Sequence, residues 1–476
     1  MKPRTLEEVA SSVAGTVSGA PGTDVVASSV IVDSRTATRG ALFVALPGEH
    51  ADGHAYVSAA LAAGAAGAIV RRGWEGPGPV VEVEDPATAL LDLARSERRD
   101  LHATVIGITG STGKTCTKDL TAAVLAERFA VVASPASFNN EVGLPLTILS
   151  ATDSTDVLVC EMGSRGPGHV RLLCDVARPR IGVVTNVGVA HMELFGSHDV
   201  LRDAKAELPE ALPHDGVAVL NADDEVVRGY ATRTPAGKVV LFGRGDDADV
   251  RAEDVSVSRE SGTAGFVLVT PSGSAPLQLS VPGEHMVSNA LAAAGVGWSL
   301  GLSATEMADS LGRASVSRGR MEVVDVGRGI RLVDDSYNAN PTSMAAALKA
   351  ARWMAGESRC VAVLGHMAEL GPIADEEHRR IGEFVARLGI EELVVVGAKA
   401  RMIAVGAERE GVEPDHIHMC EDVAGASELI PNLIRPGDLV LVKASRVARL
   451  ERLADAIRLS IEAPEGSSVR SPGGAA

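Results

Sequence analysis

The chain has 476 residues, is 46% hydrophobic and 22% charged, and carries a formal net charge of −17. That length calls for roughly two to four domains, and the acidic balance excludes general attraction to nucleic acid or to anionic membranes. Five scattered cysteines with no CxxC pair exclude structural zinc and a disulfide framework, which fits a reducing cytoplasm.

The first ten residues carry Lys2, Arg4, Glu7 and Glu8 and do not read as a signal peptide, while the apolar run Ala59–Val70 is too short to span a bilayer. Aromatic residues are only 3% of the chain, so the core must be built from Ala, Val and Leu. Residues 1–98 hold short β-rich runs and one Ala-rich helix, Tyr56–Ala66. From 99 to 317, short apolar β-branched runs alternate with helical ones, at Val105–Ile108, Val157–Cys160, Ile181–Thr185, Val217–Leu220 and Val239–Phe242. Such runs suit strands of a parallel sheet buried on both faces. Between Val250 and Pro282 the pattern becomes alternating with Gly/Ser turns, which predicts hairpins beside that sheet. A third block, 318–464, repeats the α/β rhythm with strands at Arg331–Val333, Cys360–Leu364, Leu393–Val396 and Leu439–Val442. Helices are expected at Thr342–Ala355 and Asp375–Leu388, and the Ser/Gly/Pro-rich tail 465–476 is expected to be disordered. The fold class is α/β with three domains and open, mostly parallel sheets, which bind ligands at the carboxyl ends of their strands.

The strongest local signal is Gly107-Ile-Thr-Gly110-Ser111-Thr112-Gly113-Lys114-Thr115, placed between an apolar run and the helical stretch Cys116–Glu127. Glycines let backbone N–H groups close on phosphate oxygens, and the following helix presents its positive end. Lys114 neutralises the β- and γ-phosphates, and the Thr115 hydroxyl is placed for Mg²⁺. Five residues separate Gly107 from Gly113, where the standard phosphate-loop pattern has four.

The loop's neighbours carry a family resemblance. TGSTGKT, ASFNNEVGLPLTIL, EMGSRGPG, ARPRIGVVTNVGVAHMELFGS and DAKAEL resemble the central domain of the Mur ligases, in particular the MurF-type branch. The likeness continues through PGEHMVSNALAA, SRGRMEVV, DDSYNANPTSM, LGHMAELG and VKASR, and Asp33-Ser34-Arg35 with GALFVALPGEHADGHAYV is similar to a UDP-binding N-terminal domain. The resemblance implies a UDP-substrate-binding domain over 1–98, an ATP-binding domain over 99–317 and a Rossmann-like domain over 318–464. It also implies a cytoplasmic, monomeric, ATP-dependent carboxylate–amine ligase of peptidoglycan precursor synthesis. Its acyl-phosphate chemistry would join D-Ala-D-Ala to a UDP-linked muramoyl tripeptide.

Residue by residue, the resemblance assigns ATP contacts to Gly110–Thr115, Asn289, Arg320 and Asp335. It places Glu161 on the Mg²⁺ that bridges the phosphates, and His191 and Lys205 on a second Mg²⁺. Lys205 serves there only if carbamylated, because a free ammonium cannot ligate a cation. Ser34 and Arg35 match the UDP grip, and Asn139, Asn140, Tyr337, Asn338, Asn340, His366, Lys443, Ser445 and Arg446 fall around the substrates. Phosphoryl transfer depends on positioning and electrostatics, so no covalent nucleophile is required. Cys116 reads as a packing residue.

Several positions depart from the MurF-type pattern. Ala136-Ser137 stands for Gly-Asn, Ser164-Arg165-Gly166 for Ala-Asn-His, Met286 for Asn, His366 for Asp, and Ala444 for Gly. Met286 cannot donate the amide's hydrogen bonds, and Ala444 adds a Cβ where backbone is expected near ligand. Two alternatives follow: a MurF-like ligase joining a different carboxylate and amine in secondary metabolism, and a nucleotide-binding module that has lost ligation. A phosphate-loop kinase leaves the N-terminal block unexplained.

Overall fold

The computed structural model describes residues 1–19, 26–48, 51–188 and 192–462. His191 and the tail 465–476 lie outside the described residues.

Three larger sheets follow one another along the chain. The first runs, in spatial order, Thr16–Ser18, Val80–Val83, Gly67–Arg71, Ala41–Val44 and Ser29–Ile31, parallel except for its first pair. The second has nine strands, and its parallel part places Thr104–Thr109 between Val157–Glu161 and Ile181–Val184. The last two strands are buried throughout, as a sheet covered by helices on both faces requires. The third sheet has six strands, with Leu439–Lys443 between Arg331–Asp335 and Cys360–Gly365.

The alternating segment after Val250 does form antiparallel hairpins, Val250–Val257, Thr263–Thr270 and Gly273–Pro282. They do not stand beside the second sheet but extend it, because Val250 and Arg251 pair in parallel with Phe242 and Gly243. Helix Ala304–Arg313 packs on the hairpins, and the alternate residues of Gly273–Pro282 stay exposed.

The first block contains more helix than expected. The Ala-rich helix is short, Val57–Ala62, and is joined by Leu6–Ser12 and Pro86–Asp100. The last is well signalled: Asp85 accepts from the N–H groups of Ala87 and Thr88, and Pro86 occupies the first turn. It runs past residue 98 and packs on helices Gly143–Ser150 and His169–Ala177 of the second sheet. Arg98 there donates to the carbonyls of Ala177 (2.7 Å) and Leu101 (2.9 Å). One continuous core therefore joins Leu42, Ile69 and Val81 of the first sheet to Leu90 and Leu93 of this helix and to Leu144 and Leu173 beyond it.

Candidate active site

The second sheet changes winding direction at Thr104–Thr109: one neighbouring strand comes later on each side. Loops leaving the carboxyl ends at such a point open a crevice. The Gly110–Gly113 loop lies there, followed by helix Lys114–Leu125, which starts two residues earlier than the sequence suggests. Gly113 has φ 81°, and a Cβ on it would lie 2.4 Å from Asn289 Oδ1, so the loop closes only with glycine here. Lys114 Nζ donates to the Gly110 carbonyl (2.7 Å), and its pKa is lowered, chiefly by burial, with Glu161 opposing and Arg320 adding to the shift.

Thr115 joins three parts of the chain. Its hydroxyl donates to Glu161 Oε2 (2.8 Å) at the end of Val157–Glu161 and accepts from Arg320 Nη2 (2.9 Å), which comes from the segment entering the third sheet. Glu161 is 1% exposed, and its other oxygen accepts from Asn139 Nδ2 (2.8 Å). A buried carboxylate and a hydroxyl in contact form a hard oxygen pair suited to Mg²⁺. Arg320 also stacks over Tyr337, 4.4 Å from the ring centroid, with Arg446 at 5.4 Å, and Tyr337 reaches Ser137 through its hydroxyl.

Asp335 and Arg320 do not form an ion pair with each other. Asp335 Oδ1 accepts from the Met321 N–H (3.2 Å), and Oδ2 meets Lys443 Nζ at 2.6 Å. Lys443 also donates to the Asn338 carbonyl (2.9 Å). Asn139, Asn140, Tyr337, Asn338, Asn340, Ser445 and Arg446 line the same cleft, of about 550 Å³. Asn340 caps its helix, its Oδ1 accepting from Ser343 N (2.9 Å), and Asn140 Oδ1 accepts from Gly143 N (2.9 Å) where helix Gly143–Ser150 begins.

Lys205 is fully buried on helix His198–Glu210, and among the described residues its Nζ has no hydrogen-bond partner. Burial first, and the Lys114 charge second, push its pKa well below the ordinary lysine value. Burial disfavours the ammonium and so favours the free amine that adds to CO₂, and no described group holds the nitrogen against that modification. The chemistry therefore fits the carbamylated lysine that the resemblance implies.

Two expectations are corrected by where side chains lie. His366 is not in the cleft; it stacks on His378 at 5.4 Å, and only its carbonyl acts, accepting from Ser445 Oγ (2.6 Å). Ala444 does not face a ligand either: it is fully buried, and its Cβ would lie 2.8 Å from one placed on Gly365. Met286 lines the cleft, and its sulfur donates nothing but accepts from Asn289 Nδ2 (3.4 Å), while Thr117 Oγ1 donates to Asn289 Oδ1 (3.3 Å). Ser34 and Arg35 do not line this cleft; outside it Arg35 closes on Asp33 (2.6 Å) and holds that carboxyl down at about 2.

The cysteines are free and buried, and burial pushes the Cys116 thiol up to about 11. Sequence reasoning missed Asn186, whose side chain grips the phosphate loop at Thr112 (2.9 Å), and Asp119, which accepts from Ser317 (2.8 Å) where the chain enters the third block. The signal for Asn186 was its place directly after a buried parallel strand.

Comparison with known proteins places the chain among a family of ligases. The Mur ligase family catalytic domain matches residues 27–98, the Mur ligase middle domain 108–297, and the Mur ligase glutamate ligase domain 319–446. The UDP-N-acetylmuramoyl-tripeptide–D-alanyl-D-alanine ligase of Mycobacterium tuberculosis is 43% identical over 95% of this chain and 97% of its own length. The Bacillus subtilis protein of the same name is 33% identical over 97% and 99%. Among solved structures, MurF from Acinetobacter baumannii superposes with a TM-score of 0.85 at 29% identity, covering 96% of this chain and 99% of its own. MurF from Thermotoga maritima in complex with ADP gives 0.78 at 28%, covering 91% and 98%.

Proposed function

This chain belongs to the Mur ligase family, and on that premise we propose that it joins D-Ala-D-Ala to a UDP-N-acetylmuramoyl tripeptide in the cytoplasm, as a monomer, with ATP converted to ADP and phosphate. The observation that carries the reading is the meeting of Lys114, Thr115, Glu161 and Arg320 in one cleft between two sheets. Among the described residues no helix is long and apolar enough to cross a membrane.

In this reading residues 1–98 hold the UDP end through Ser34 and Arg35, 99–317 hold the triphosphate, and 318–464 close over it. The γ-phosphoryl group passes to the tripeptide carboxylate, whose oxygen bonds to phosphorus as the bond to ADP breaks. The amine of D-Ala-D-Ala then attacks the acyl carbon and expels inorganic phosphate, losing a proton. Lys114 and Arg320 supply positive charge where the transferring group gathers negative charge, and they do so from fixed positions in a partly dry cleft. Bound Mg²⁺ offsets phosphate charge; Thr115 and Glu161 would hold one ion, and carbamylated Lys205 with His191 a second. Asn289 sits against the loop on the side the resemblance gives to adenine. Asp335 is anchored by Lys443 for the ribose or phosphates.

The departure Ala444 is absorbed inside the protein, which favours the cell-wall reaction, whereas Met286, although buried, lines the cleft beside Asn289. Ser137, Ser164 and Arg165 do line the cleft and bear on which carboxylate and amine are accepted. The test is phosphate release with ATP and Mg²⁺ against a matrix of UDP-muramoyl peptides and amines. Release that requires both the tripeptide and D-Ala-D-Ala supports the proposal. Release with another pair indicates the secondary-metabolic ligase, and silence from protein that still binds ATP indicates the inactive module.

A further inference from the structure

The phosphate loop is one residue longer than the standard pattern, and that residue has a defined place. Ser111 N–H donates to the Asn186 carbonyl (2.9 Å), and Thr112 N–H donates to Asn186 Oδ1 (2.9 Å). The Thr112 carbonyl accepts from Thr185 Oγ1 (2.6 Å) and from Asn186 Nδ2 (3.2 Å). One amide side chain thus satisfies both the donor and the acceptor of the Thr112 peptide, as a neighbouring strand would. The packing is close: a Cβ on Gly110 would lie 2.0 Å from Thr185 Oγ1.

The gripping segment is itself held from the far side. Asn221 Nδ2 donates to the Thr185 carbonyl (2.7 Å), and Val187 N–H donates to Asp224 Oδ2 (2.8 Å). With the N–H groups of Ser111 and Thr112 committed to this segment, the donors left to face a phosphate are those from Gly113 to Cys116. These open the 12-residue helix Lys114–Leu125, whose first N–H groups have no partner within the helix.

We infer that Asn186 is the positioning residue of the phosphate loop: its amide clamps the Thr112 peptide aside and thereby aims the Gly113–Cys116 N–H groups at the nucleotide phosphates. This rests on the ATP reading proposed above. Only a residue with a donor and an acceptor at this length serves. Aspartate cannot donate to the Thr112 carbonyl and adds a negative charge beside phosphate, while serine is too short to span both groups.

The experiment is calorimetric binding of ADP and AMP to the full chain, wild type and Asn186→Ala. AMP places fewer phosphates on the loop, so its affinity should change by about twofold or less, while ADP affinity falls on the order of tenfold or more. Unchanged ADP affinity overturns the inference. An equal loss for both nucleotides also overturns it, since that is the mark of general damage. Wild-type protein that binds no ADP would remove the ATP reading itself. Should Asn186→Ala not fold, Thr185→Val, which deletes only the hydroxyl bond to the Thr112 carbonyl, must show the same selective loss at several-fold, and an unselective or absent loss overturns the inference.

Discussion

Asp335 and Lys443 are direct register partners at the carboxyl ends of two parallel strands, and their side chains close that pairing with a 2.6 Å ion pair. The lysine side chain is 2% exposed and the carboxylate 14%. Removing one partner leaves the other charge nearly dry, which costs about 3 kcal/mol. Lys443→Met is therefore expected to lower the melting temperature by several degrees and to raise KM for ATP, since Asp335 loses its anchor. Thermal melting with phosphate-release kinetics checks both, and an unchanged KM would detach Asp335 from the nucleotide.

Glu161 contributes charge as well as hydrogen bonds. Glu161→Gln keeps the shape but neutralises the hard-oxygen pair with Thr115, so turnover should fall on the order of a hundredfold or more. The increase in ADP affinity that Mg²⁺ gives the wild type should also vanish. Binding measured with and without Mg²⁺ decides the point: a retained metal effect would place the ion elsewhere.

Lys205 as a free amine is a stability cost, and in the proposed reaction its carbamate would hold a metal ion. Its folded pKa lies far below the value near 10.5 of an exposed lysine, so between those two values the unfolded chain holds a proton the native chain does not. Stability of the uncarbamylated protein therefore rises with pH across that window, and there the free lysine is destabilising. Lys205→Met should raise the melting temperature by a few degrees and abolish turnover. Lys205→Ala should be equally inactive and partly restored by formate, which stands in for a carbamate oxygen. Full activity of either variant without additive would rule out a lysine carbamate.

Met286→Asn restores the family residue at the position where sulfur now accepts from Asn289. Since the amide of Asn289 is already partnered, activity should change by no more than about threefold, a loss or gain of less than 1 kcal/mol. A large gain in turnover would instead mark Met286 as a functional specialisation.

His285, His366 and His378 all have pKa values pushed below the ordinary histidine value of 6.5, in each case chiefly by burial. The unfolded chain takes up these protons first. Stability is thus complete above pH 6.5, declines as pH falls below it, and levels off once the folded values are passed. His378 accepts from Met367 N–H (2.9 Å), a role a glutamine oxygen can keep. His378→Gln should melt near the wild-type temperature at pH 7.5 and lose less of it at pH 5.5, a comparison that scanning calorimetry makes directly.

The parts of this site that are contiguous in the chain were legible in the sequence. The loop Gly110–Thr115 announces itself because strand, glycines, lysine and helix follow in order, and buried strands such as Ile181–Val184 read as uninterrupted apolar runs. What joins distant segments was not. Lys443 lies 108 positions from Asp335, and Arg320 lies 205 from Thr115, so neither periodicity nor spacing could pair them. Only the family resemblance brought these residues to one place. His366 and Ala444 were misplaced for a different reason: each follows a strand end, where the turn decides which way the side chain points. Helix Pro86–Asp100 was overlooked although Asp85-Pro86 is a strong start signal.

That helix has a consequence for what the protein accepts. Its apolar side is buried jointly by the first sheet and by helices of the second, so the residues matching the UDP grip and the phosphate loop ride on one frame. A frame that cannot shorten behaves as a measuring rod. If residues 1–98 hold the UDP end as proposed, the carboxylate would reach the γ-phosphate only when the intervening peptide has the right length, so a chain one residue short should bind and yet fail to turn over.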